Sequence, residues 1–391
     1  MINISKIKID KIYDLMKVIR YLFRYGPFRT LAKIKGTLHL NFSSNYEGDV
    51  WYNKNCKSPH SNFNSRSVAI IGAGYFSYTV IAYFLSCYNK KILRAVLDID
   101  MSRSISLCRD YSGLYATNQL DKILLDPEIK LIYIASNHAS HADYAVKCIK
   151  AGKHVHIEKP HVISFEQLKA LELAMIENKN SKVFLGFNRP RSPVFQKINS
   201  LIKAQSGPSM LNWFVVGHHL EDNHWYYNEK EGGRVLGNLC HWSDLILHTV
   251  GVDKVFPCTI NPTKISESKS DYVVSILFKD ASSAVITFSA KGKTSTGVRE
   301  VLNLQKKDCV ILMEDFDRLY VDHGNGIKNH KWFIRDHGHR ANILNSYINS
   351  IELNGKGEKL TYIKNTALLY LYLRNAIMSG KVLKVNSNDL P

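Results

Sequence analysis

Two stretches of this 391-residue chain carry side chains whose types and spacing suit chemistry. In the first, Gly72-Ala73-Gly74-Tyr75-Phe76-Ser77 follows the apolar run Val68-Ala-Ile-Ile71. Asp98 then closes the next apolar run, Leu93 to Leu97, 21 residues after Ser77. The first glycine of such a G-x-G-x-x-S turn permits a tight reversal. The second lets the backbone approach a pyrophosphate at the helix N-terminus, and the small third residue packs helix on strand. A glycine turn alone is a weak signal; the order strand, turn, helix, strand, acid is what gives it specificity. A carboxylate at position 98 can accept hydrogen bonds from an adenosine ribose and would repel a 2′-phosphate. NAD is therefore the expected cofactor, with NADP as the alternative because Arg103 lies five residues further on.

The second stretch is Glu158-Lys159-Pro160, directly after the short apolar run Val155 to Ile157. A lysine there sits at the carboxyl end of a parallel strand, where open α/β sheets bind ligands, and its ammonium can stabilise an alkoxide or polarise a carbonyl. Most lysines are simply solvated, so the motif around Lys159 carries the argument. His241 follows a Gly-Arg-x-x-Gly run inside a helix-periodic segment. Unperturbed histidine titrates near neutrality, which suits proton transfer to a hydroxyl. A core histidine bonded to backbone is the plain alternative.

The elements that must position these residues follow from periodicity. Strands alternate with helices from residue 66, with helices predicted over 140–151 and 165–177 and further strands over 131–135 and 183–185. This implies a doubly wound parallel sheet covered on both faces. After residue 190 the pattern changes to helices at 194–204 and 236–250, a strand at 211–216, and consecutive strands at 272–278, 283–289, 300–304 and 309–313. Two helices, roughly 339–352 and 361–378, end the chain. The expected fold is α/β: an N-terminal Rossmann doubly wound parallel sheet (66–188) and a C-terminal α/β domain with an open, mainly antiparallel sheet (189–391). Residues 1–65 read as a basic amphipathic extension and linker. Ile12, Leu15, Met16, Ile19, Leu22 and Phe23 form a helical stripe, Gly26-Pro27 stops it, a short helical piece follows at 29–35, and 41–65 is rich in Asn and Ser.

The net charge is +18, of which residues 1–35 contribute +7 through six Lys and three Arg against Asp10 and Asp14. No arginine-rich or aromatic-studded basic stripe appears elsewhere, so nucleic acid is not an expected partner. Seven cysteines without a Cys-x-x-Cys pair argue for a reducing, cytoplasmic setting. Residues 67–88 are uncharged, but their glycines, serines and β-branched start suit a buried strand, turn and helix better than a membrane span. The N-terminal stripe suits docking on the protein body or a second subunit, with peripheral contact to an anionic bilayer as the alternative. Histidines cluster at 138, 141, 154, 156 and 161, and again at 218, 219, 224 and 241. Without a His-x-x-x-His pair or a cysteine partner, no metal is expected. His219, His224 and Trp225 read instead as a polar, aromatic pocket.

Taken together, Gly72 to Ser77, Asp98, Ser136-Asn137-His138 with His141, Ala151 to Val155, Glu158-Lys159-Pro160, Gly186-Phe187-Asn188-Arg189, Gly233 to Gly237, Cys240-His241 and Asp244 resemble the Gfo/Idh/MocA oxidoreductases over about 66–391. The resemblance implies NAD(P), a sugar or nucleotide-sugar substrate, and homo-oligomers formed through the open sheet. It places Gly72, Gly74, Tyr75, Phe76, Ser77, Asp98, Ser136, Asn137, His138, His141, Glu158, Lys159 and Asn188 at the cofactor. Arg189, His219, His224, Trp225, Arg234, His241 and Asp244 fall toward the substrate, with Lys159, His241 and Asn238 as the catalytic candidates. Many members carry an Asp four residues before the histidine, and a related branch a Glu three before. This chain has Gly237 and Asn238, and Asn can orient a hydroxyl but cannot exchange a proton. Three readings stay open: a sugar dehydrogenase or ketoreductase, a non-catalytic NAD-binding sensor or complex subunit, and an epimerase or lyase that uses bound NAD without net redox change.

Overall fold

The computed structural model describes residues 18–56, 66–221, 223–264, 270–293, 297–324 and 326–386. Ile12, Leu15 and Met16 of the N-terminal stripe and the end of the expected linker lie outside them. The first sheet contains β1 (Val50–Tyr52), β2 (Val68–Ile71), β3 (Leu93–Leu97), β4 (Tyr115–Thr117), β5 (Leu131–Ile134), β6 (His154–Ile157) and β7 (Val183–Leu185). Their order is β1-β4-β3-β2-β5-β6-β7, parallel throughout except for β1, which runs antiparallel to β4. Every residue of β2, β5 and β7 is buried, as strands covered on both faces must be. The strand order reverses between β2 and β5, so a crevice opens at their carboxyl ends. There Gly72 is obligatory: its φ is 90°, and a Cβ would lie 2.6 Å from the carbonyl oxygen of Ala135.

The second sheet has the order β15-β14-β13-β12-β8-β11-β10-β9-β16. It comprises β8 (Ser209–His218), β9 (Cys258–Lys264), β10 (Tyr272–Phe278), β11 (Ser283–Gly292), β12 (Arg299–Lys306), β13 (Cys309–Glu314), β14 (Arg318–Asp322), β15 (Ile327–Lys331) and β16 (Leu383–Val385). Only β8 and β11 pair in parallel. Leu211, Trp213 and Val215 of β8 face a core shared with helices Pro193–Lys203 and Gly233–Val250, while Met210 and Phe214 face outward. The sheet thus has one open face.

The N-terminal segment departs from the expected extension and linker. Residues 18–25 are helical, and a 14-residue helix, Pro27–Leu40, replaces the short piece expected at 29–35. Pro27 starts this helix as well as ending the previous one, because proline suits the first helical turn. Thr30, Ala32, Gly36 and His39 pack inward, while Phe28 and Leu38 are 79% and 66% exposed. A Cβ on Gly36 would meet Thr79 Cγ2 at 2.2 Å, so the glycine sets how closely this helix lies on the turn that follows β2. Val50–Tyr52, inside the stretch read as linker, instead forms β1 on the edge of the first sheet. The uncharged run 67–88 is β2, the glycine turn, a π-helical segment Ser77–Ala82 and an α-helix Tyr83–Tyr88. No helix among the described residues is long and apolar enough to cross a membrane.

Candidate active site

At the carboxyl end of β2 the glycine turn is held from both sides. The Asp98 carboxylate accepts from the backbone N–H of Ala73 (2.6 Å) and of Asp100 (2.9 Å). Arg103 pairs with Asp100 at 3.3 Å, so the residue that could have favoured a 2′-phosphate is engaged elsewhere. The Ser77 hydroxyl donates to the Gly72 carbonyl, which explains how serine serves as the third small residue. From the other side, buried His39 places Nε2 2.7 Å from the Ala73 carbonyl and stacks on Tyr78. Tyr75 donates its hydroxyl to Lys33 O, and Arg29 to Thr79 O. Tyr75 is thereby committed to the N-terminal helix, and Phe76 lies 5.9 Å from the His339 ring. Nothing lies within 4 Å of where a Gly74 Cβ would point. That open space above a helix start, beside an anchored carboxylate, fits a dinucleotide.

The cofactor groove continues along β5 and β6. His141 is buried, with its ring nitrogens 2.9 Å and 3.1 Å from the carbonyl oxygens of Pro160 and Ser136. It thus ties the ends of the two strands together, and burial pushes its pKa down. The Ser136 hydroxyl bonds that of Ser140 at 2.7 Å. Asn137 Nδ2 (2.8 Å) and Ala139 N–H (3.0 Å) donate to the Glu231 carboxylate, and His138 Nδ1 lies 3.2 Å from Glu231 O. Burial, then Lys159, takes His138 down to about 2, so it is a neutral imidazole. Glu158 is buried with Oε1 3.3 Å from His156 Nε2. A Cβ at Gly186 would lie 2.6 Å from its Oε2, so Gly186 leaves the room that Glu158 needs. Asn188 Nδ2 donates to His337 O (2.6 Å).

Lys159, joined to Pro160 by a cis peptide bond, turns its Nζ toward Gly237 O (3.1 Å) and the Tyr226 hydroxyl (3.5 Å). Desolvation pulls the ammonium down, but Tyr226, Cys240 and Glu158 outweigh it, and the net shift is upward. Lys159 therefore stays charged beside the groove, as an electrostatic stabiliser must.

His241 departs from the sequence expectation in its titration. Burial, then Arg189 and Lys159, push it well below 6.5, and its buried Nδ1 has no hydrogen-bond partner among the described residues. Near neutral pH it is a neutral imidazole, able to accept a hydrogen bond, and not an imidazolium donor. Asn238 donates to its own helix at Arg234 O (3.1 Å), so its amide points back rather than standing in for an acid.

The remaining expected substrate residues divide. Trp225 packs edge-on against His138 with ring centres 4.9 Å apart, and His224 caps the turn by accepting from Tyr226 N–H at 3.2 Å. His219 is exposed after β8. Arg234 is buried and donates to Tyr227 Oη (3.1 Å) and His218 O, within the scaffold. Arg189 donates to buried Glu300 (2.7 Å), which also accepts from Trp242 Nε1 (2.9 Å) and faces His337 (3.4 Å) and Arg335 (3.8 Å). Burial pushes Glu300 up, but Arg189 and His337 outweigh it and hold the carboxyl well below the usual range. Asp244 has no exposed surface; it accepts from Tyr362 (2.7 Å) and Thr366 (3.1 Å), which makes it part of the helix packing. Burial raises it to about 7. Among the described residues no three metal-ligating side chains gather at one point.

His39, Tyr226, Glu231, Glu300 and His337 were not picked out from sequence. None lies in a motif. Only Tyr226 carried a hint, as the neighbour of Trp225.

Residues 66–187 match the family described as "Oxidoreductase family, NAD-binding Rossmann fold", GFO_IDH_MocA. These residues carry the NAD-binding Rossmann domain of the Gfo/Idh/MocA oxidoreductases. It is 28% identical over 225 residues to the uncharacterized oxidoreductase YrbE of Bacillus subtilis, covering 56% of this chain and 65% of that protein. It is 27% identical over 176 residues to the scyllo-inositol 2-dehydrogenase (NADP(+)) IolW of the same organism, covering 44% and 49%. The chain therefore spans about half to two thirds of the length of these two relatives. Levoglucosan dehydrogenase, solved with NADH and levoglucosan, shares the fold at a TM-score of 0.70 and 15% identity, over 82% of this chain and 99% of that one. The family's cofactor fits the anchored Asp98 and the open space at Gly74.

Proposed function

We propose that the protein is an NAD-dependent dehydrogenase or ketoreductase acting on a hydroxyl or keto carbon of a sugar, cyclitol or nucleotide-sugar. The observation that carries this reading is Lys159, a charged ammonium at the carboxyl end of β6, next to Glu158 and the glycine-lined groove. Bound NAD would supply the hydride acceptor. Gly72, Gly74 and Asp98 would hold its adenosine half, and Ser136, His138 and Glu158 would lie along the other. Lys159 would stabilise the developing oxyanion, and neutral His241 would hydrogen-bond the substrate hydroxyl and orient it. Trp225 offers an aromatic face for ring C–H groups. The relatives' activities on inositol and levoglucosan favour a cyclic polyol.

The turning away of Asn238 and the absence of a side chain at Gly237 favour the second reading, a protein that binds NAD without turnover. A panel of cyclic polyols and sugars, offered with NAD, separates the two. The first reading expects NADH absorbance to grow with at least one compound and to fall about 10²–10³-fold in Lys159→Ala. NAD binding with no absorbance change across the panel would support the second.

A further inference from the structure

Among the described residues Lys159 Nζ has two hydrogen-bond partners, the Gly237 carbonyl at 3.1 Å and the Tyr226 hydroxyl at 3.5 Å. Only the hydroxyl can exchange a proton. A Cβ on Gly237 would lie 2.3 Å from Tyr226 Cε1 and 2.9 Å from Cδ1. The tyrosine ring therefore fills the volume that any side chain at position 237 would require. The ring is fixed on its other faces: it stacks on Trp225 with centres 4.6 Å apart and lies edge-on to His138 at 5.4 Å. His224 accepts its backbone N–H, and the following turn is pinned to the cofactor groove through Glu231.

We propose that Tyr226 is a catalytic acid/base of this enzyme, and that its phenol takes the place of the acid that Gly237 cannot supply. The inference rests on the dehydrogenase reading above. During reduction, hydride leaves nicotinamide C4 for the carbonyl carbon, and the C=O π pair moves onto oxygen. The Tyr226 O–H bond breaks, its proton goes to that oxygen, and the phenolate is stabilised by the Lys159 ammonium until water returns a proton. Oxidation runs the same steps in reverse. Glycine at 237 is then the counterpart of the tyrosine rather than a lost function.

Three measurements on the full-length chain test this. Tyr226→Phe should lower kcat about 10²–10⁴-fold and remove one limb of the pH–rate profile, with the dissociation constant for NADH unchanged. A kcat within a few-fold of wild type overturns the proposal. The second does not need turnover: the pH midpoint for acylation of Lys159 by acetic anhydride, read by peptide mass spectrometry, should move down in Tyr226→Phe because Tyr226 raises this amine. An unmoved midpoint contradicts the pairing. Third, Gly237→Asp should lower the melting temperature by at least about 2–4 °C, and adding Tyr226→Gly should restore it. Equal stability of Gly237→Asp and wild type would show that the two positions do not share space. If the wild type turns over nothing while the second and third results hold, the dehydrogenase reading fails and the Lys159–Tyr226 pair stands.

Discussion

At the glycine turn, the residues that would meet a dinucleotide come from one continuous run, Val68 to Asp98, in which β2, a helix and β3 follow in order. Lys159 takes its partners from positions 226 and 237, Asn137 takes Glu231, and the ion pair beside His241 joins Arg189 to Glu300 across 111 residues. The first region is local in sequence and follows the family pattern. The second is assembled by tertiary packing and departs from it. A local site is specified largely by its own strand and turn, even where His39 and Arg29 brace it from the N-terminal helix. A dispersed site can exchange a side chain on one segment for a side chain on another, as Gly237 and Tyr226 illustrate.

Variants should separate the two regions. The largest effect on stability belongs to the dispersed one. Glu300→Ala leaves Arg189 and Arg335 without their shared buried carboxylate and should cost about 3–5 kcal/mol in chemical denaturation. A loss under 1 kcal/mol would mean the pair does not brace the His241 side. Next, in the local region, Asp98→Ala should weaken NAD binding by about 1.5–3 kcal/mol in titration calorimetry, while kcat at saturating NAD stays close to wild type. A fall in kcat with unchanged affinity would place Asp98 in the wrong half. Gly186→Ala forces a methyl against Glu158 Oε2 and should destabilise the fold by about 1–3 kcal/mol in thermal melts. An Ala variant as stable as wild type would deny that Glu158 is sterically fixed.

A pH dependence completes the set. Burial holds the Asp244 carboxyl at about 7 in the folded chain, against an ordinary value of 3.8, so the unfolded chain releases its proton first. The stability contributed by the neutral form is complete below about pH 4 and is lost between about 4 and 7. Glu358, also raised to about 7 by burial, titrates in the same window. Asp244→Asn should therefore flatten the decline of denaturation midpoints over that range without abolishing it. An unchanged slope would remove Asp244 from the account.

The same contrast explains what was legible in the sequence. The apolar runs that became β2, β3, β5 and β7 were readable because buried parallel strands are continuously hydrophobic. β4 and β16 have only three residues each, β15 has one strong apolar residue among five, and β9 contains Pro262, which argues against a strand. The N-terminal helix was misjudged because its inward face is small and polar (Thr30, Gly36, His39) while Phe28 and Leu38 point out, the reverse of the usual stripe. At the site, Asp98 and Lys159 were visible through spacing. The downward shift of His241 was not, since it depends on burial and on Arg189 arriving from a distant segment. Tyr226 has no motif of its own, and only the space above Gly237 reveals it.

The central claim is hydride transfer between nicotinamide and a sugar carbon at Lys159. The most direct measurement supplies NADH deuterated at the transferring C4 position with a panel of keto-sugars and follows the label by mass spectrometry. The account predicts one deuterium on the reduced carbon of at least one product, formed by wild type and lost in Lys159→Ala. Label retained in the cofactor with every compound, or equal transfer by wild type and Lys159→Ala, would contradict it.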